Sequence, residues 1–130
     1  MSYRHLFGDA KATAREGDSR RKQRAYDEAL ALHQADPTFA SQAKVATALF
    51  DLGRFAEAER LLKDILEHSG DDIQVLTDLA FVYKNLNRMD DARQTFLKVI
   101  ELDPRHSLAR CAENELWTMD PTYKPSWMRK

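Results

Sequence analysis

One interval, 34 residues, recurs along this chain and separates Val45 from Leu79, Gly53 from Asn87, Ala58 from Ala92 and Ile65 from Val99. A fixed period of that size means that one small supersecondary unit is stacked on a copy of itself, which decides the architecture before any single element does. Between residues 72 and 104, Leu76, Leu79, Ala80 and Tyr83 recur at helical spacing, and Ala92, Phe96 and Val99 then do the same. Each stretch carries one apolar stripe, so each predicts an amphipathic helix. Gly53 and Asn87 are the residue types that best tolerate the left-handed conformation past a helix end, so each reverses the chain between two helices. Asp103-Pro104 stops the later unit, and Gly70 stands in the place of that proline in the earlier one.

The order Leu76, Leu79, Ala80, Tyr83, Ala92, Phe96, Pro104 follows the pattern W-x2-L-G-x2-Y, A-x3-F, P, with Leu76 for Trp and Ala80 for Gly. This stretch resembles the tetratricopeptide repeat family. The resemblance implies an all-α fold, a short right-handed α-solenoid of helix-turn-helix units, with full repeats over 39–72 and 73–106. Helices over 19–35 and 105–118 flank them, the first as a half-repeat and the second as a C-terminal cap, within a repeat domain spanning 19–119. Ala25, Ala29 and Leu32 supply the apolar stripe expected of the first helix, with Ser19 as its N-cap and Asp36-Pro37 as its stop. In the cap, Leu108, Ala112 and Leu116 are expected to pack inward, and Arg105, Arg110, Glu113 and Asn114 to form the polar face. Gln42 replaces the motif tryptophan, and a polar side chain there is expected near solvent.

The two ends read differently from the repeats. Residues 1–18 mix small and charged residues with one short apolar cluster, Tyr3, Leu6 and Phe7, and are expected to form a mobile arm. Residues 120–130 are too rich in proline for a helix yet carry Tyr123, Trp127 and Met128, so an extended tail is expected. It should fold back on the body or engage a second copy.

Several function classes find little support. Residues 1–24 hold seven Lys/Arg against three Asp/Glu, whereas the remainder holds 13 against 18, so the body is mildly acidic and no match for nucleic acid. No segment approaches the ~18 apolar residues of a membrane span, and the single Cys111 has no partner for an internal disulfide. Both point to the cytoplasm. His5, His33, His68 and His106 are dispersed, Cys111 has no evident base, and Gly8, Gly17, Gly53 and Gly70 stand alone, so no cofactor, metal or catalytic role is expected. The acidic pairs Asp71-Asp72 and Asp90-Asp91 fall where helices begin and complement their dipoles.

The expected function is therefore protein binding. In the tetratricopeptide repeat family the first helix of each repeat lines a concave groove. Carried over by register, that lining is Ala40, Ala43, Thr47 and Phe50, then Gln74, Thr77, Phe81 and Asn85, then Leu108, Cys111 and Glu115. Phe50 and Phe81 are the expected anchors, lying off the stripe that joins the helices. Family members that grip acidic chaperone tails use a clamp of Lys, Arg and Asn. The places of its asparagines here hold Lys44 or Thr47 and Asp78 or Phe81, so that clamp is missing. A scaffold for a peptide or helix of a partner protein is the leading reading, and a small secretion or assembly chaperone holding an apolar client segment is the alternative.

Overall fold

The computed structural model describes the backbone of residues 3–129 and the side chains from Gly17 to Arg129. Six α-helices follow one another among the described residues: α1 (Tyr3–Ala35), α2 (Phe39–Asp51), α3 (Phe55–Ser69), α4 (Ile73–Asn85), α5 (Met89–Leu102) and α6 (Ser107–Met119). Each helix packs on the next, and α4 also touches α2 and α6, so the first helices of successive units form one wall of an all-α solenoid.

Local chemistry sets the boundaries. Thr38 caps α2 reciprocally: its hydroxyl accepts from the Ser41 amide at 3.0 Å, and the Ser41 hydroxyl accepts from the Thr38 amide at 3.0 Å. Asp72 caps α4 by accepting from the Gln74 and Val75 amides at 2.9 and 3.1 Å. Between the helices of each unit, Gly53 and Asn87 adopt φ of 79° and 61°, the left-handed turns the sequence requires. His106 opens α6, its Nδ1 accepting from the Leu108 amide at 3.0 Å.

The core is the predicted stripe. Ala58, Ala80, Ala92, Phe96 and Val99 are fully buried, with Val45, Leu62, Ile65, Leu76, Leu79 and Tyr83 around them. Alanine at 58, 80 and 92 lets the two helices of a unit approach closely, and the large side chains then close the space between units.

Several expectations need correction. Helix α1 begins at Tyr3, so the backbone is helical through most of the segment expected as an arm, and Ser19 lies inside the helix rather than capping it. The side chains of Tyr3, Leu6 and Phe7 lie outside the described residues. The packed face of α1 is Tyr26, Ala29, Leu30 and His33, turned by one residue from the expected stripe, which leaves Leu32 60% exposed and Ala25 exposed. Gln42 is buried instead of lying near solvent, because its amide finds acceptors on α3, the Leu61 carbonyl at 3.0 Å and Asp64 Oδ2 at 2.9 Å. Glu113, expected on the polar face of α6, is only 5% exposed.

Glu113 holds the C-terminal segment. Its Oε2 accepts from the amide and hydroxyl of Ser126 at 3.0 and 2.8 Å, and Arg129 lies 3.6 Å from Oε1. The segment therefore turns at Asp120-Pro121, buries Pro125 and half-buries Tyr123, and ends in a short 3-10 turn over Ser126–Met128 rather than continuing extended. Trp127 is not its anchor: the residue stays 42% exposed, with the Arg110 guanidinium 5.5 Å from the ring centroid.

Candidate functional site

The wall formed by α2 and α4 contains an apolar cavity of about 170 Å³. Ala46, Thr47 and Phe50 line it from α2, Asp78, Phe81 and Val82 from α4, and Leu62 from α3 below. The helical register explains the set. Thr47 and Phe50 are one turn apart on α2, as Asp78 and Phe81 are on α4, and each pair points to the gap between the two helices.

Of the residues expected to line a groove, Thr47, Phe50 and Phe81 meet at this cavity. Gln74 and Asn85 stand exposed on α4 on either side, Gln74 donating to Asp78 Oδ1 at 3.1 Å and Asn85 to the Phe81 carbonyl at 2.8 Å. Ala43 is half-buried against the core, and Ala40 is exposed near the start of α2. Thr77 is not available as a lining residue. It is 3% exposed, and its hydroxyl is spent on the Ile73 carbonyl at 2.7 Å. On α6, Leu108 packs against the core, while Cys111 opens on a separate cleft with Ser107, Arg110, Asn114 and Trp127. Glu115 pairs with Lys84 and ties α6 to α4.

The two phenylalanines have a double role that the sequence did not separate. Phe50 meets Phe55 edge-on with centroids 5.2 Å apart, and Phe81 meets Phe96 likewise at 5.3 Å. Each ring is thus braced by the second helix of a unit while another part of it lines the cavity. Phe50 and Phe81 are half-buried rather than free anchors.

Asp78 is the lining residue that sequence reasoning missed as a feature of its own. The available signal was its position, four residues after Gln74 and three before Phe81, which puts it on the same face as both. Burial pushes its carboxyl above the usual carboxylate range, with the Gln74 amide opposing and Asp72 adding to the shift. The Cys111 thiol is likewise pushed up, by burial first and by Glu115 second, with Lys84 opposing, so it favours the unreactive thiol form. Among the described residues no three His, Cys, Asp or Glu side chains converge as metal ligands, and no helix is long and apolar enough to cross a membrane.

Comparison with known proteins agrees with this geometry. No curated protein matches the chain. The family model described as tetratricopeptide repeat matches residues 49–112, from the end of α2 through the first turns of α6. With the 34-residue register, the left-handed turns at Gly53 and Asn87 and the buried alanines at each helix crossing, the match identifies the chain as a member of the tetratricopeptide repeat family.

Proposed function

We propose that the protein is a non-catalytic interaction module that holds a segment of a partner protein against the wall of α2 and α4, and that it works in the cytoplasm. Members of the family generally mediate protein–protein interaction. The observation that carries the reading for this chain is the cavity between Phe50 and Phe81. Its volume, about 170 Å³, exceeds the ~30 Å³ share of one water but falls below the ~300–1,000 Å³ of sites that enclose a whole small molecule. A space of that size on an open wall suits one side chain of a longer segment lying across the helices.

The alternative, a chaperone for an apolar client, draws on the apolar lining of the same cavity. Both readings require the groove. Thr47 is exposed at its edge, so Thr47→Trp fills the entrance without cutting into the core. The variant should keep the wild-type melting temperature and lose partner segments captured from a displayed peptide library. Unchanged capture would remove the groove from both readings. A chaperone would in addition keep one aggregation-prone client soluble in wild-type form and fail to do so as Thr47→Trp.

A further inference from the structure

Asp78 is an unusual lining for an apolar cavity. One carboxylate oxygen accepts from Gln74 at 3.1 Å, and no hydrogen bond within the described residues is made to the other. The ion pairs of the described residues do not include Asp78 either. A carboxylate so placed holds its charge at least cost when water or another donor meets its second oxygen. Any segment laid across the cavity displaces that water, so an apolar occupant leaves a desolvated, unpartnered charge, which is costly. A cationic occupant replaces the lost water with a charge-assisted hydrogen bond.

We propose, building on the groove reading above, that the bound segment inserts an arginine side chain here, its guanidinium on Asp78 Oδ2 and its methylenes between Phe50 and Phe81. Arginine fits better than lysine because of its head group: the flat, weakly hydrated guanidinium stacks on aromatic faces, and two such rings line the cavity. The stem of either residue would supply apolar contact for Ala46, Leu62 and Val82 on the floor. The partner is thus a segment with an arginine between residues that rest on the exposed rims, where Gln74 and Asn85 offer hydrogen bonds.

The test is a selection from a displayed random peptide library on wild type, Thr47→Trp and Asp78→Asn. Peptides that need an open groove should carry arginine at one fixed position. Replacing that arginine with citrulline, its neutral isostere, should weaken binding to wild type by about tenfold and to Asp78→Asn hardly at all. Groove-dependent peptides with lysine or an apolar residue in that position overturn the inference and leave the groove reading standing. So does an equal citrulline effect on wild type and Asp78→Asn. An empty selection, or one indifferent to Thr47→Trp, removes the groove reading and this inference with it.

Discussion

In the central repeat, Leu79 on α4 and Ala92 on α5 are buried where the two helices pack through apolar side chains. One period later the same register positions are Glu113 on α6 and Ser126 in the C-terminal segment, and there the contact is a carboxylate receiving a backbone amide and a hydroxyl. Tyr123 in turn stands one period after Met89, and it packs on the core from a segment that is not a helix. The third unit is therefore a repeat whose second helix has been replaced by a short irregular strap. Shape complementarity holds the complete unit together, whereas a polar latch holds the incomplete one. A helix can satisfy its own backbone, so its partner needs only an apolar face; a strap cannot, and α6 must supply an acceptor.

The largest expected effect lies in the complete unit. Phe96→Ala removes a fully buried ring that also braces Phe81, and it should cost about 3–5 kcal/mol, measured by urea unfolding. Ala92→Leu should overpack the crossing and cost about 1–3 kcal/mol, whereas Ala56→Leu, on the exposed side of α3, should stay within about 0.5 kcal/mol. Equal melting temperatures for the two leucine variants would break the register on which the comparison rests.

The latch should behave differently. Glu113→Ala deprives the Ser126 amide and hydroxyl of their charged acceptor, a loss of about 1.5–3 kcal/mol that falls on docking of the strap rather than on the repeats. Amide hydrogen exchange should accelerate over residues 121–129 while α4 and α5 keep their protection. Matched acceleration in both regions would mean that the strap and the repeats unfold as one unit.

The smallest effect is a pair of titrations. Asp78 in the groove and Asp120 at the start of the strap are shifted in opposite directions, Asp78 upward by burial and Asp120 downward by hydrogen bonds from the Thr122 hydroxyl and amide. For Asp78 the folded state holds the proton more tightly than the unfolded chain does, so ionisation opposes folding and that opposition is relieved as pH falls through the folded-state pKa. For Asp120 the sign reverses: its contribution is present above the unfolded pKa and is lost as pH falls through the folded one. Carboxyl-carbon NMR should place the two midpoints on opposite sides of the ordinary aspartate value, and a shared midpoint would contradict the burial assigned to the groove.

What the sequence made legible follows from where information sits. The period, the turns at Gly53 and Asn87 and the stripe ending in Phe96 and Val99 could be read because each depends on spacing along one helix and recurs one period later. The failures involve partners far away in sequence. Gln42 looked solvent-bound until α3 offered it Leu61 and Asp64, and Glu113 looked like surface until Ser126 folded back onto it. Helix α1 lies outside the repeat register, so its packed face could not be inferred from a second copy, and it falls on Tyr26 and Leu30 rather than Ala25 and Leu32. In the candidate groove, Phe50 and Phe81 were visible as aromatics off the stripe, but their bracing by Phe55 and Phe96 was not. That bracing means that Phe81→Ala would lower stability and any affinity together, which is why Thr47 is the better position from which to close the groove.

The central claim is that ligands bind on the wall of α2 and α4 and not on the strapped end of the molecule. It is tested most directly by amide chemical-shift mapping of the labelled protein during titration with a peptide selected from the displayed library. The account predicts that the largest shifts fall on Thr47, Phe50, Asp78 and Phe81, with Arg110, Glu113 and Trp127 unmoved. Shifts concentrated on α6 and the strap, with the cavity residues silent, would contradict it.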